Sequence, residues 1–585
     1  MKLFEGVPAS PGIAIGKAYY YTEESFIIPH KDIPPTKIRN EKKRFDKALK
    51  RTKEELHKLQ HSILNRIEKK FADIFSVHLL VLEDPVLLVD VNDYITEKHC
   101  NAEWAVYQVL DRQIKKLSMV EDGYFRERIT DIHDIGKRVI RHLLQKEHKS
   151  LTSLTEQVIV IARNLSPSDT AAMRKDMVIG FSTDVGGRTS HTAIVARALG
   201  IPAVVGLGNI TEHIDTDDIV IIDGNHGKVI INPDEQTIRE YKTAKHIFER
   251  FEVELKKLKS LDAVTTDGHN VTLMGNIELP TEIETIIANG GRGVGLYRTE
   301  FLYLNRSDLP TEEELFKVFK NVVERMKPNP VIFRTIDIGG DKPNAAIMNM
   351  PKEANPFLGY RAIRYCLANV DVFETQLRAM IRASYYGNAS LMIPMISNCN
   401  EIKRTKAIIR DVKEGLLTRS VPFNPDIEMG IMMEIPAAAM IADILGAEVD
   451  FFSIGTNDLV QYGIAVDRNN EKIAYLYNHF HPGVIRLLKQ IIDGAQKNNI
   501  HVHMCGEMAA SPLAIPLIVG MGLNTLSVSA IAIPEIKKII RGLTLQECQK
   551  TVEVVMTMKT AVDIKRYLYR LLNDKFPDIV EKYVI

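Results

Sequence analysis

The chain has 585 residues, too many for one core, and at about 150 residues per domain it calls for three or four units. Its 75 basic and 75 acidic residues cancel, and 45% hydrophobic residues with a single Trp describe an ordinary globular composition, so nothing favours a nucleic-acid polyanion or an anionic membrane as partner. Five scattered cysteines (Cys100, Cys366, Cys399, Cys505, Cys548), odd in number and without Cys-x-x-Cys spacing, argue against a disulfide frame and a zinc cage; reduced thiols are expected.

The opening Met1-Lys2-Leu3-Phe4-Glu5-Gly6 lacks a secretory apolar core, and nowhere do about 18 uncharged apolar residues run together. A cytoplasmic protein without membrane insertion is expected. From about 40 to 146 the pattern is helical: Phe45, Leu49, Leu56, Leu59 and Ile63 recur at three- and four-residue steps with Lys and Glu on the other faces. Pro85 and Asp122-Gly123 punctuate this stretch, and Val139, Ile140, Leu143 and Leu144 make the apolar face of a further helix. An antiparallel hairpin or bundle follows, and a solvated structural bundle is the plain reading of such charge patterns.

Val178 to Phe181 predicts a strand, and Ala193, Ile194, Ala196, Ala198 and Leu199 predict a short helix that ends at Gly200. Between them lies Gly186-Gly187-Arg188-Thr189-Ser190-His191, which puts His191 in the first helical turn, where unpaired backbone N–H groups and the positive end of the helix dipole favour a negative group on the imidazole. Neutral imidazole is also a nucleophile near pH 7. The same residues also read as an ordinary turn, with Thr189 or Ser190 an N-cap and His191 an ordinary first-turn side chain.

After Gly227-Lys228-Val229-Ile230-Ile231-Asn232-Pro233, a charged helical stretch from about Asp234 to Lys259 divides the chain. Beyond Leu261 the pattern alternates strand, turn and helix. Strands are expected at Val271 to Ile277, Val294 to Arg298, Val331 to Ile336, Ser390 to Met395, Met429 to Glu434, Phe451 to Gly455, His501 to Cys505 and Thr525 to Ser529, and such a series closes into a (β/α)8 TIM-like barrel more naturally than it lies open. Met392, Met395, Met432 and Met433 read as core packing.

Barrels carry their chemistry at strand C-terminal ends. Here those ends hold Asn276, Arg298-Thr299-Glu300, Arg334-Thr335, Glu434, Asn457-Asp458 and Cys505-Gly506-Glu507. They supply guanidinium forks for carboxylate or phosphate, oxygens for a hard divalent cation, and a thiol. A phosphorylated carboxylic acid bound through Mg²⁺ would use all three. Singly, each has a plainer role: a surface ion pair, a helix cap, a small core thiol.

The block from Asn164-Leu165-Ser166-Pro167-Ser168 through Gly206 resembles the phosphohistidine segment of enzyme I of the bacterial phosphoenolpyruvate:sugar phosphotransferase system, with relatives in pyruvate phosphate dikinase and phosphoenolpyruvate synthase. The resemblance continues through Gly295-Leu296-Tyr297-Arg298-Thr299-Glu300-Phe301-Leu302, Arg334-Thr335-Ile336-Asp337-Ile338-Gly339-Gly340-Asp341-Lys342 and Asn355-Pro356-Phe357-Leu358-Gly359-Tyr360-Arg361. It also takes in Met433-Glu434-Ile435-Pro436-Ala437, Phe452-Ser453-Ile454-Gly455-Thr456-Asn457-Asp458-Leu459, Val466-Asp467-Arg468 and Met504-Cys505-Gly506-Glu507. It implies that His191 carries the phosphoryl group, that Arg298, Arg334, Arg361, Asn457 and Arg468 hold phosphoenolpyruvate, that Glu434 and Asp458 ligate Mg²⁺, and that Cys505 protonates the enolate carbon.

The implied multidomain α/β architecture is a phosphohistidine domain from 1–30 and 147–233, a helical carrier-binding insertion at 31–146, a linker helix at 234–260, and a phosphoenolpyruvate-binding barrel at 261–585 that also dimerises. The extended segment Gly6 to Gly16 resembles the family's first strand, pairing beyond the helical insertion. A domain swing would take phosphohistidine from the barrel to a histidine-containing phosphocarrier protein, the first step of sugar uptake by that system. One departure is the basic character of the insertion around Glu68-Lys69-Lys70, where the family is often acidic; it implies a carrier with a less basic face and an association weakly affected by salt. Two readings compete. A dikinase or phosphoenolpyruvate synthase needs a nucleotide-binding domain ahead of the phosphohistidine segment, where this sequence has a helical stretch and no Gly-rich nucleotide loop. A phosphorylation-dependent scaffold with an inactive barrel would keep the fold without the activity.

Overall fold

The computed structural model describes residues 1–21, 28–64, 79, 82, 84–118, 123–145, 151, 154–165, 169–170, 173–174, 176–187, 196, 199–303, 308–339, 353, 355–468, 470 and 472–580. The chain divides into two compact units, 1–250 and 251–584.

The first unit is built on an eight-stranded sheet of β1 (Lys2–Glu5), β2 (Val7–Ser10), β3 (Ile13–Tyr21), β4 (Val158–Ala162), β5 (Val178–Thr183), β6 (Ala203–Val205), β7 (Ile219–Asp223) and β8 (Lys228–Ile231), in the order β1-β8-β7-β3-β4-β5-β6-β2. β3 lies parallel to β4, with Lys17 opposite Val158 and Tyr21 opposite Ala162, although more than a hundred residues separate them in sequence. The helical stretch is therefore an insertion between two neighbouring strands. β4 is buried along its length, as expected of a strand flanked by parallel neighbours.

The insertion holds helices Ile38–Leu64, Pro85–Lys98, Ala102–Ser118 and Gly123–Leu144. The expected apolar face is present: Phe45 and Leu56 are buried with Val91, Ile95, Val109, Ile135 and Val139, and Leu49 packs at the edge. The side chains of Leu59 and Ile63 lie outside the described ones. Pro85 and Gly123 each open a helix rather than break one, Pro85 at the position where a missing N–H costs nothing. Glu55 ties the bundle together: Arg138 and Arg141 donate to its carboxylate, and His142 Nε2 lies 2.9 Å from Oε2. Burial raises its carboxyl and these three donors outweigh that, so it titrates well below the usual range.

The strand expected at Val178 runs on to Thr183. The helix expected next falls mostly outside the described residues, yet its end is described: Gly200 has φ +61°, and Ile201 N–H donates to Ala196 C=O at 3.1 Å, the bond that closes a Schellman cap. The long helix expected from Asp234 is Glu235–Lys257, capped by Asp234 Oδ1 accepting from Thr237 N–H at 2.8 Å.

In the second unit, β10 (Asn270–Ile277), β11 (Val294–Arg298), β12 (Val331–Arg334), β13 (Ala389–Ile393), β14 (Met429–Met433), β15 (Phe451–Ile454), β16 (His501–Met504) and β17 (Thr525–Val528) pair in parallel, each with the next. β10 pairs with both β11 and β17, which closes the eight-stranded barrel; β9 (Ala263–Val264) adds antiparallel to β10. Six of the eight expected strands overran at their C-terminal ends, while β10 and β11 end at Ile277 and Arg298 as expected. Those expected to reach Ile336, Met395 and Glu434 stop at Arg334, Ile393 and Met433, because the chain turns there, Met395 with φ +60°, and so leaves the ladder. Leu296, Ile332, Met392, Met432, Phe451 and Cys505 fill the barrel interior, while Met395 and Met433 belong to the larger core outside it. The apolar stripe of the C-terminal helix Ala561–Lys575 (Ile564, Leu568, Leu572) packs into that same core.

Candidate functional site

The barrel brings the expected residues to one end. Arg334 closes β12 and is buried; its Nη2 donates to Glu300 Oε1 at 2.5 Å and its Nη1 lies 3.4 Å from Asp337 Oδ2. Arg361, also buried, grips the other side of Asp337, with Nε to Oδ1 at 3.1 Å and Nη2 to Oδ1 and Oδ2 at 2.9 and 2.8 Å. Arg361 Nη2 reaches Asp458 Oδ2 at 3.7 Å, and its Nη1 donates to the Tyr462 hydroxyl at 3.1 Å. Burial pulls both guanidinium groups down, but the surrounding carboxylates outweigh it and hold them above the ordinary arginine value. Both are permanent forks of positive charge aimed at the same spot.

A buried relay fixes the β12 end. Gln376 Nε2 donates to Thr299 Oγ1 at 3.0 Å, Thr299 Oγ1 donates to Arg334 C=O at 2.9 Å, and Gln376 Oε1 accepts from Ile336 N–H at 2.9 Å.

Glu434 follows β14 and is almost fully buried; its Oε1 accepts Met395 N–H at 2.7 Å. Burial, then the carboxylates of Asp458 and Asp337, push its carboxyl up to about 8, against the pull of Arg334 and Arg361. Asp458 sits in the first turn of helix Thr456–Gly463, and Asn457 beside it exchanges two hydrogen bonds with Glu507: Nδ2 to Oε1 at 3.1 Å, and Oδ1 accepting Glu507 N–H at 2.9 Å. The Tyr477 hydroxyl donates to Asn457 C=O at 3.0 Å, while Arg468 N–H donates to Gln461 Oε1 at 3.2 Å.

Cys505, just past β16, is buried. Burial raises its thiol above the ordinary value, with Arg334 and Arg298 pulling the other way. It lines a cavity of about 320 Å³ with Asn276, Glu278, Arg298 and Glu507, in which Arg298 Nη1 pairs with Glu278 Oε1 at 3.0 Å. A larger, mostly apolar cavity of about 670 Å³ opens beside Tyr462 and Met395.

Arg298, Arg334, Arg361, Glu434, Asn457, Asp458, Arg468 and Cys505 thus share the C-terminal face of one barrel. His191, with the N-cap candidates Thr189 and Ser190, lies outside the described residues, as do Glu68-Lys69-Lys70. The approach to it is described: Gly206, φ +73°, packs so closely on Gly186 C=O that a Cβ there would stand 2.8 Å from the oxygen. Sequence reasoning gave no role to Asp337, Gln376 or Tyr462, and it counted Glu300 among the strand-end oxygens suited to a cation, whereas the structure pairs it with Arg334. Asp337 stands three residues past Arg334, a spacing that signals pairing only once the chain is known to turn there.

Three family descriptions match the chain: "PEP-utilising enzyme, N-terminal" at 5–128, "PEP-utilising enzyme, mobile domain" at 154–227 and "PEP-utilising enzyme, PEP-binding domain" at 252–545. The phosphoenolpyruvate-protein phosphotransferase of Bacillus subtilis (strain 168) is 45% identical over 97% of this chain and 99% of its own length. That of Priestia megaterium is 43% identical over 97% and 98%, and that of Staphylococcus aureus (strain Mu50 / ATCC 700699) 44% over 93% and 95%. With three consecutive matches and this identity across nearly its whole length, the chain belongs to the phosphoenolpyruvate-protein phosphotransferase family, enzyme I of the phosphotransferase system.

Proposed function

We propose that the chain takes the phosphoryl group of phosphoenolpyruvate onto His191, releases pyruvate, and passes the group to a histidine-containing phosphocarrier protein, as the first step of phosphotransferase-system sugar uptake in the cytoplasm. The observation that carries this reading is the meeting of Arg334 and Arg361 at one barrel end beside Asp458 and Glu434. A loose phosphoryl-transfer transition state asks chiefly for positioning and charge neutralisation, which two preset guanidinium forks supply.

Arg334 and Arg361 hold the phosphate, with Arg298, Arg468 and Asn457 completing the grip on the phosphate and carboxylate. His191 attacks phosphorus through a ring nitrogen in line with the leaving enolate oxygen. Cys505, kept as a neutral thiol by burial, gives its proton to the enolate carbon and so makes the transfer favourable.

Glu434 and Asp458 would hold Mg²⁺. The donor set fits: Glu434 and Asp458 set two interacting carboxylates at one barrel end, and Mg²⁺ commonly takes one or two carboxylates and completes its shell with water and substrate phosphate. The crowding that raises Glu434 is what a cation relieves. Bound there, Mg²⁺ supplies charge neutralisation of the phosphate oxygens.

The helical insertion is the docking surface for the carrier, and the active form is a homodimer. Measured without carrier, pyruvate release is expected to stop after one equivalent per chain and to become continuous when a phosphocarrier protein is added. Continuous release without any carrier would point to hydrolysis instead, and ATP-driven labelling would revive the dikinase reading.

A further inference from the structure

Cys505 is held from two sides by groups that the reaction itself does not require. Ser453, on β15 and fully buried, donates its hydroxyl to Cys505 Sγ at 3.3 Å. From the other side, Asn276 at the end of β10 donates Nδ2–H to Cys505 C=O at 3.0 Å, and Asn276 is itself fixed by Ser527 of β17, whose Oγ–H donates to Asn276 Oδ1 at 2.6 Å. Three strands thus clamp the residue that follows a fourth; Ile454 adds to the hold, its C=O accepting Cys505 N–H at 3.1 Å and the Cys505 thiol at 3.7 Å.

Sulfur is a weak acceptor, so a buried hydroxyl aimed at a neutral thiol gains little. The same bond gains more once the sulfur is charged, because hydrogen bonds to ions are about twice as strong as neutral ones. It also occupies the sulfur on the β15 side.

We propose that Ser453 is a positioning residue for proton transfer by Cys505: it fixes the sulfur at the cavity wall and stabilises the thiolate that proton transfer leaves, the S–H turning from Ile454 C=O to the enolate carbon in the step. This rests on the reading of Cys505 given above. In the step, the S–H bond breaks as a C–H bond forms at the methylene carbon of enolpyruvate, the enolate electron pair makes the new bond, and the thiolate then takes a proton from solvent water. In reverse, the thiolate removes a methyl proton from pyruvate, so the step can be followed alone as exchange of pyruvate methyl protons with deuterated water.

The test is a double-mutant cycle on the full-length protein with pyruvate and Mg²⁺, reading methyl exchange by NMR, with the KM for phosphoenolpyruvate in His191 labelling measured alongside. Ser453→Ala is expected to slow exchange about tenfold with KM changed less than twofold, as loss of one hydrogen bond to a charged group implies. In a Cys505→Ala background, where exchange is already slow, Ser453→Ala is expected to add less than twofold. Wild-type exchange rates in Ser453→Ala overturn the proposal, as does a further tenfold loss in the Cys505→Ala background, which marks a structural role. No exchange by the wild-type protein would strike the Cys505 reading instead. If Ser453→Ala does not fold, Ser453→Gly, which also removes the hydroxyl, carries the same two comparisons.

Discussion

Asp337 binds Arg361 through three hydrogen bonds of 2.8–3.1 Å while standing 3.4 Å from Arg334, so one carboxylate sets the spacing of two buried guanidinium groups. A phosphate arriving here finds its forks already aimed and loses little side-chain entropy in organising them.

Asp337→Ala therefore leaves two buried cations short of a partner. Stripping one member from a buried ion pair costs about 3–5 kcal/mol, and that loss is expected in chemical denaturation of the barrel unit, with loss of phosphoryl transfer. Asp337→Asn, which keeps an acceptor oxygen, should recover part of the stability and little of the activity.

Glu434 gives a pH signature. Its carboxyl is pushed up to about 8, so between the unfolded carboxylate value and that point the folded protein holds a proton that the unfolded chain has lost. Stability from this group is full at low pH and falls as pH rises toward 8, by at most about 1.4 kcal/mol per pH unit. Thermal melts of the metal-free protein from pH 5 to 8 should show Glu434→Gln gaining on wild type, and Mg²⁺ should narrow the gap. Parallel curves for the two proteins would contradict the assignment.

Cys505 is the third case. Burial keeps it a thiol, so alkylation near pH 7 should be slow at Cys505 and faster at the half-buried Cys399, as read by peptide mass spectrometry. Cys505→Ala should lower turnover about 10²–10⁴-fold, the usual worth of general acid catalysis, with little change in phosphoenolpyruvate binding.

In the helical insertion, Glu55→Ala removes the acceptor shared by Arg138, Arg141 and His142. Amide exchange in helices Ile38–Leu64 and Gly123–Leu144 should accelerate, while the barrel strands keep their protection. Glu55 titrates below the usual range, so its support is present above about pH 4.5 and is lost as pH falls below it.

The barrel was legible because each βα unit repeats a local signal: a short apolar strand, a polar end, then a helix. Its eight strands fall where the residues place them, and their polar ends gather as a barrel requires. Strand ends were less legible, since the turn that frees Glu434 and Met395 from the ladder depends on packing around them. The first unit was harder. Pairing of β3 with β4 across the insertion is a contact between distant segments with no local trace; family resemblance alone supplied the related expectation that Gly6 to Gly16 pairs beyond the insertion, and that segment holds β2 and the start of β3, paired with β6 and β7. Asp337 stayed hidden for the same reason: an acidic residue past an Arg reads as a cap or a surface pair until Arg361 is brought beside it.

The most direct measurement is labelling with phosphoenolpyruvate carrying a marked phosphate, in the presence of Mg²⁺, on wild-type protein and on His191→Ala. The wild type should take up one acid-labile, alkali-stable label per chain and release an equal amount of pyruvate, and His191→Ala should take up none. An unlabelled wild-type protein, or a label that survives in His191→Ala, would contradict the account.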